Sequence, residues 1–168
     1  MIESFVLVFF PALMIFAACS DLLTMQIRNR VSIALTLGFL PVAWFLGLSL
    51  SDILSHYTCG LAILAFTFAL FCLGGFGGGD AKLAAATAVW LGWQNIFDYA
   101  VVTAVYGGLL AIALLLFRRV ALPAALMRQE WIARLHSPKV GIPYGLALAA
   151  AGLMLYPHSQ VWMRAIAA

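Results

Sequence analysis

Two aspartates, Asp21 and Asp80, are the residues of this sequence that are best placed to do chemistry. Each lies beside a long apolar segment, and the chain of 168 residues contains only six acidic side chains. Two carboxylates in contact cannot both ionise cheaply, so the pair shares one proton. The ionised member can take a proton from water while the protonated member polarises a carbonyl group, with no need for a metal or a nucleophilic side chain.

Each aspartate also has a simpler interpretation. Asp80 could cap the helix that follows it, because aspartate is favoured at the N-cap and suits the positive end of the helix dipole. Asp21 could mark the edge of a membrane segment. The two aspartates taken together, with the glycines in front of Asp80, favour the functional interpretation.

The glycines form a run of five in six positions, from Gly74 to Gly79. Glycine weakens a helix and allows close backbone approach, so Gly77, Gly78 and Gly79 could pair with a substrate held as an extended strand. A peptide bond inside a helix must be unwound before hydrolysis, which gives such a loop a purpose. A phosphate-binding loop is disfavoured, because the pattern GxxxxGK[ST] is absent and Lys82 follows Asp80 and Ala81 rather than a glycine.

The elements that must position these residues are membrane helices. Hydrophobic residues make up 65% of the chain and charged residues only 9%, a composition that is stable in lipid rather than in water. Six apolar segments are predicted, at residues 2–20, 31–50, 53–73, 81–97, 99–117 and 140–156. A short turn is predicted at residues 95–98, and it could merge the fourth and fifth segments or shift them by a few residues. Helix is expected for each, because unpaired backbone groups are costly in lipid. We therefore expect an all-α polytopic membrane protein of about six transmembrane helices, forming one domain over residues 1–168.

Basic residues predict the orientation of these helices. With both termini outside, eight basic residues fall on the inner side and only Arg164 falls outside, which fits the positive-inside rule. The eight are Arg28, Arg30, Lys82, Arg118, Arg119, Arg128, Arg134 and Lys139. Asp21 and Asp80 are then both on the cytoplasmic side. The longest inner loop, residues 120–139, is interpreted as an interfacial segment anchored by Trp131, or as a plain positively charged loop.

Metal and cofactor chemistry is not expected. The histidines at positions 56, 136 and 158 are scattered, and the cysteines at positions 19, 59 and 72 are interpreted as small apolar residues. No nucleic-acid partner is expected either.

Three stretches together resemble the prepilin peptidases, membrane aspartyl proteases that carry a GxGD motif. They are DLLTMQIRN at residues 21–29, GGGD at residues 77–80 followed by Ala81 and Lys82, and GIPYG at residues 141–145. The first stretch departs from the usual Ile-Pro-Asn, since it reads Ile27, Arg28 and Asn29. The resemblance is closest to the short, stand-alone form associated with tight-adherence or Flp pili.

The resemblance implies that Asp21 and Asp80 are the catalytic pair. It implies an aspartic endopeptidase of the inner membrane that removes the leader from type IV pilin or pseudopilin precursors at the cytoplasmic face. It raises the expectation that Lys82 helps to place the substrate, although residues i and i+2 of a helix point apart and a lysine at the lipid interface is the simpler interpretation. Tyr144 is expected to line the site, and Pro143 to begin or kink the last span. No methyltransferase domain is expected.

A function of another class stays open at this point. A small transporter or channel could use Asp21 and Asp80 to bind protons or cations, with the glycines forming a broken helix. Such a site is expected near the middle of the bilayer, whereas these aspartates are predicted at one face.

Overall fold

The computed structural model describes residues 2–167, and it describes side chains from residue 6 onward. Within that range every regular element is helical, which confirms the predicted all-α class. The helices are α1 (Ile2–Thr24), α2 (Asn29–Phe45), α3 (Leu50–Cys72), α4 (Gly78–Phe117), α5 (Ala124–Met127), α6 (Glu130–His136), α7 (Tyr144–Leu155) and α8 (Gln160–Ala167), with a 3₁₀ turn at Tyr156–His158.

Helices α1 and α7 run antiparallel, and their contacts define two ends of the bundle. Near the end of α1, Asp21 accepts a hydrogen bond from the backbone N–H of Gly145 at the start of α7, at 2.8 Å. Near the beginning of α1, the Val6 carbonyl accepts a hydrogen bond from the Tyr156 hydroxyl, at 3.0 Å. We call the end that contains Asp21 and Gly145 the site end, and the other the distal end.

Helix α4 reverses direction at Gly92. This residue has φ 68° and ψ 178°, a conformation outside the helical region that glycine adopts at little cost. The side chain of Asn95 donates to the Leu91 carbonyl across the turn, at 3.1 Å, and to His158 at the distal end, at 3.4 Å. Beyond the turn the helix returns to the site end, where the Thr103 carbonyl accepts from Tyr144 at 3.5 Å. Residues 78–91 and 93–117 therefore form two opposed arms.

The turn predicted at residues 95–98 is thus misplaced. Those residues are helical, and the division expected between segments 81–97 and 99–117 lies at Gly92 instead. The polar side chains of Asn95 and Asp98 suggested a surface turn, but Asn95 is buried. A backbone with positive φ sets the reversal, and only glycine supplies it without strain.

The core is densest around Trp90, which is fully buried in the first arm of α4. Its ring lies 5.3 Å from that of Phe10 in α1, 5.7 Å from that of Phe39 in α2, and 6.1 Å from that of Tyr156. The indole N–H donates to the Leu35 carbonyl at 2.9 Å. These contacts lock four elements together and fix the angle at which α4 delivers Asp80 to the site end.

Three helical stretches are long and apolar enough to cross a membrane, namely Val6–Thr24, Leu50–Cys72 and Gly78–Phe117, while Asn29–Phe45 is apolar but shorter. Large apolar side chains cover the outside of the bundle; Leu37 is 66% exposed and Phe97 is 76% exposed. Exposed apolar surface of this extent suits lipid rather than water. The chain is a multi-pass membrane protein.

The segment between α4 and α7 packs onto the site end. Arg118 donates to the carbonyls of Leu135, Val140 and Gly141 at 2.8, 2.9 and 3.0 Å. Arg134 donates to the Leu23 carbonyl in the last turn of α1, at 2.9 Å. The segment predicted as interfacial, residues 120–139, contains the short helices α5 and α6. Arg118 ties it to the end of α4, and Arg134 ties it to the helix that holds Asp21.

Candidate active site

Asp21 lies one residue past the predicted end of the first apolar segment and within the last turn of α1, because the helix continues to Thr24. Its side chain is only 5% exposed. One carboxylate oxygen, Oδ2, accepts the Gly145 N–H at 2.8 Å. A β-carbon on Gly145 would lie 2.8 Å from that oxygen and 2.7 Å from Cδ1 of Ile27, so only glycine allows the approach.

The turn that follows α1 is held by side chains of the same stretch. Met25 adopts a left-handed conformation with φ 56°, which is uncommon for a residue other than glycine. The Thr24 hydroxyl donates to the Ser20 carbonyl at 2.6 Å, and the Ser20 hydroxyl donates to the Gln26 carbonyl at 2.9 Å. These bonds turn the chain back so that Ile27 packs beside Asp21.

Asp80 is the third residue of α4, so it is not the N-cap. That position belongs to Gly77, and the alternative interpretation of Asp80 as the helix cap is wrong. The Asp80 side chain folds back toward Gly77. Its Oδ2 lies so close to Gly77 that a β-carbon there would clash with it. Asp80 is half-buried, and among the described residues its carboxylate accepts no hydrogen bond. Its position depends on the absence of a side chain at Gly77.

The glycine run divides between loop and helix. Gly74 has φ 75°, which reverses the chain after α3, whereas Gly78 and Gly79 are already in the first turn of α4. A β-carbon on Gly79 would lie 3.2 Å from Cβ of Ile27. The expected flexible strand-like loop is therefore shorter than the glycine run, and two of its glycines serve close packing instead.

The structure brings the two aspartates together although 58 residues separate them in the sequence. Their carboxyl groups lie within electrostatic range of each other. Ile27 packs against both Gly79 beside Asp80 and Gly145 beside Asp21. Both carboxyls therefore lie at the site end, where Ile27 packs between their neighbours Gly79 and Gly145.

Tyr144 lies at this site, as its predicted role requires. Its ring packs against Gly107, where a β-carbon could not fit, and lies edge-on to Phe76 with ring centroids 5.7 Å apart. Its hydroxyl is within electrostatic range of Asp80. Pro143 is the N-cap residue of α7, so it begins the helix, which is one of the two alternatives predicted for it.

Lys82 is not brought to the aspartates. Its side chain is exposed, and its Nζ donates to Oδ1 of Asn29 at 3.0 Å on the α2 side of α4. The divergence of residues i and i+2 on a helix explains this placement. A part in substrate placement stays a prediction for Lys82.

Sequence reasoning missed three neighbours of the pair: Ile27, Phe76 and Tyr99. Tyr99 is 3% exposed, its hydroxyl donates to the Leu148 carbonyl at 3.3 Å, and it lies within electrostatic range of Asp80. Ile27 lies inside the first aspartate stretch and Phe76 inside the glycine run, so both could have been suspected from their positions. Tyr99 carries no such signal, because the reversal at Gly92 alone returns it to Asp80.

Three or more metal-ligating side chains do not cluster anywhere in the part of the chain that the structure describes. The groups gathered at the site end are two carboxyls, a tyrosine hydroxyl and backbone N–H groups from two helix starts. This set can hold a proton between the carboxyls and donate hydrogen bonds to an incoming carbonyl.

The family of the chain follows from a comparison with known sequence families. A model of the type IV leader peptidase family matches residues 8–116, which include both aspartates and end before Gly141. Comparisons with curated proteins and with solved structures give no significant match. The family match covers well over half of the 168 residues and contains the two carboxyls that the fold brings together, and on this basis the chain belongs to the type IV leader peptidase family.

Proposed function

We propose that this protein is an aspartic endopeptidase in which Asp21 and Asp80 cleave the leader from type IV pilin or pseudopilin precursors. Membership of the family implies a protease of the leader-peptidase kind. The observation that carries the aspartic mechanism is the meeting of the two carboxyls at one end of the bundle, since Asp21 and Asp80 come from opposite ends of their helices. No described cluster offers a metal in their place.

The pair supplies both halves of acid–base catalysis. The ionised carboxylate takes a proton from a water molecule, and the water oxygen bonds to the scissile carbonyl carbon. The protonated carboxyl gives its proton to the carbonyl oxygen, which yields a neutral tetrahedral intermediate. Collapse of that intermediate breaks the C–N bond, and the proton that was taken from water passes to the leaving amine. One hydroxyl of the intermediate gives its proton to the other carboxylate as the product carboxylic acid forms. The pair again holds one proton.

Backbone groups at the start of α4 are suited to hold the substrate. The N–H groups of Gly78 and Gly79 open the helix and have no acceptor within it. They can donate to carbonyls of an extended peptide that lies over Gly77, where no side chain is in the way. Tyr144 closes the opposite side of the site. Lys82 faces away from this path, so we assign it no direct contact with the scissile bond.

The site fits a cut at the boundary between water and hydrocarbon. We propose six crossings of the inner membrane, with both termini outside and the site end at the cytoplasmic face. Arg118, Arg134 and Lys82 all lie near the site end, which supports this orientation under the positive-inside rule. The leader would then be cut where it joins the apolar helix of the precursor.

Location also argues against a transport function. The carboxyls lie at one end of the bundle, at the last turns of α1 and the first turn of α4. A coupled transporter needs its ion site near the midplane, where both sides can reach it in turn.

Co-expression with a pilin precursor tests the function. We expect the precursor to shorten by its leader in the presence of the wild-type protein and to stay intact with Asp21→Asn or Asp80→Asn. Labelling of cysteines introduced at positions 21 and 80 tests the orientation, and labelling only from the periplasmic side would contradict it. A processed precursor with either Asn variant would contradict the aspartic mechanism.

A further inference from the structure

A groove outside the carboxyl pair runs between α2, α3 and the first arm of α4. It encloses about 500 Å³ and is open to the outside of the bundle. At the site end it begins at Asn29 and Lys82, and toward the distal end it closes at Tyr57, whose hydroxyl donates to the Thr36 carbonyl at 2.8 Å. None of the residues named in the proposed peptide cleavage, Lys82 aside, lines this groove.

The floor and walls of the groove are apolar. Ala85, Ala86 and Val89 continue from Lys82 at helical spacing and form the floor, where Gly60 of α3 comes close to Val89. Exposed aliphatic side chains form the rim, among them Ile33, which is 54% exposed. The length of the floor from Lys82 to Val89 is about 10 Å at 1.5 Å per helical residue.

The site end of the groove is polar and positively charged. Lys82 Nζ is held by Asn29 at 3.0 Å, and the exposed Arg28 and Arg30 flank Asn29 in the sequence. Ser32 also lines the groove and is only 7% exposed, and among the described residues its buried Oγ has no hydrogen-bond partner. A buried hydroxyl nearly always has a hydrogen-bond partner, so Ser32 keeps an unused donor that a change of rotamer would turn toward an acceptor in the groove.

We propose that the groove is a binding site for one anionic glycerophospholipid. An acyl chain lies along the alanine floor, the phosphate pairs with Lys82, and the Ser32 hydroxyl donates to a phosphate or ester oxygen. Polar groups at the headgroup level and apolar walls at the acyl level match this molecule along its length. The site is separate from the carboxyl pair, and its occupancy does not depend on the proposed peptide cleavage.

Size and charge favour a lipid over the apolar helix of a substrate. One turn of a helix about 10 Å across occupies roughly 400 Å³, so the groove would hold little more than a single turn. A lipid chain is thinner and can follow the whole floor. A cationic leader attached to such a helix would also meet Lys82, Arg28 and Arg30, which repel it.

Native mass spectrometry of the purified full-length protein tests the proposal. The protein is stripped of lipid in detergent and titrated with dioleoyl phosphatidylglycerol or with dioleoyl phosphatidylcholine, which carry the same acyl chains. We expect one tightly held phosphatidylglycerol, bound about fivefold more tightly than phosphatidylcholine, the factor that one lysine beside a phosphate provides. Equal binding of the two lipids, or no retained lipid at all, would overturn the proposal.

Variants locate the lipid. Ile33→Trp fills the rim of the groove and should abolish the retained lipid, whereas Ile112→Trp, at a residue with 58% exposure in the second arm of α4 and outside the groove, should not. Lys82→Gln should remove the preference for phosphatidylglycerol while the acyl chain still binds. Ser32→Ala removes a hydroxyl that has no hydrogen-bond partner among the residues that the structure describes, so a weaker lipid complex would report a lost lipid contact.

Two further results would contradict the proposal. A retained lipid that survives Ile33→Trp and is lost with Ile112→Trp would place the lipid elsewhere. A precursor peptide with an intact apolar helix that displaces the lipid one for one, in the inactive Asp80→Asn variant, would assign the groove to the substrate. Failure of leader cleavage would leave these lipid measurements unchanged, so the two proposals fail separately.

Discussion

The two carboxyls of the site are held in different ways. Asp21 is 5% exposed, and a backbone N–H from α7 bonds to it at 2.8 Å. Asp80 is half-buried, and among the described residues its carboxylate accepts no hydrogen bond. Its carboxylate lies in the space that a side chain on Gly77 would fill. Asp21 is held by α1, by the start of α7 and by the turn that contains Ile27. In the part of the chain that the structure describes, Asp80 has no such contacts and is free to change its side-chain conformation.

This difference suggests a division of labour in building the site. A carboxyl fixed in the core keeps its geometry whether or not a substrate is present. A carboxyl at the start of a glycine-led helix can complete its contacts only when the peptide arrives, and catalytic hydrogen bonds often tighten at that stage. The Asp21 side of the site should therefore tolerate change less well than the Asp80 side.

Loss of either carboxyl should have the largest effect on the rate of leader cleavage. The two losses should be similar in size. Asp21→Asn and Asp80→Asn each remove one half of the proton relay, and we expect leader cleavage to fall at least about 1,000-fold in both. Rates are measured with purified protein in lipid and a pilin precursor. Asp98→Asn, at an exposed position in the second arm of α4, is the control and should cleave normally.

Lengthening the side chains should separate the two aspartates. Asp21→Glu places an extra methylene in a closed space beside Gly145 and Ile27, whereas Asp80→Glu has room to adjust. We expect Asp21→Glu to be almost inactive and Asp80→Glu to keep about a tenth of the wild-type rate. Equal loss of rate in the two variants would contradict the inference that Asp21 is held more firmly than Asp80.

A methyl group added beside Asp21 should lower the rate of leader cleavage more than one added beside Asp80. Gly145→Ala places a carbon 2.8 Å from Oδ2 of Asp21, and we expect about a 100-fold loss of rate from the displaced carboxylate. Gly141→Ala is its control, because a β-carbon there meets nothing within 4 Å. Thermal unfolding in detergent shows whether the loss reflects the site or the stability of the fold.

The matching change beside Asp80 should cost less. Gly77→Ala pushes the Asp80 carboxylate away, but that side chain is free to move, so we expect about a tenfold loss. Gly75→Ala, whose nearest atom would be the Leu70 carbonyl oxygen at 3.7 Å, is the control. A larger loss in Gly77→Ala than in Gly145→Ala would show that Asp80 is the more constrained carboxyl.

Removal of the Tyr144 hydroxyl should give the smallest effect. Tyr144→Phe keeps the ring packed on Gly107 and Phe76 and loses only a long contact of 3.5 Å to the Thr103 carbonyl. We expect a rise in KM of about threefold with little change in kcat. Tyr106→Phe, which removes a hydroxyl that donates to the sulfur of Met154, should change neither constant.

Much of this protein could be predicted from local features of its sequence. The low charge and the long apolar runs dictated helices in lipid, because a backbone in hydrocarbon must satisfy its own hydrogen bonds. Asp21 and Asp80 could be selected because few acids exist and both border apolar runs. Their side of the membrane followed from the basic residues as a prediction. Each of these inferences uses only short-range pattern and composition.

Only the tertiary structure decided how those elements meet. The reversal at Gly92, the bond from Gly145 to Asp21 and the return of Tyr99 to Asp80 each join residues through backbone conformation or through contacts between distant helices. A glycine in the sequence permits a positive φ but does not show that one occurs. The sequence alone therefore predicts the turn at the polar residues 95–98 and not at Gly92. Which helix packs on which depends on side-chain fit summed over many residues. This summed packing, and not the local sequence pattern, decides that the Asp21 side chain is held in place and that the Asp80 side chain can move.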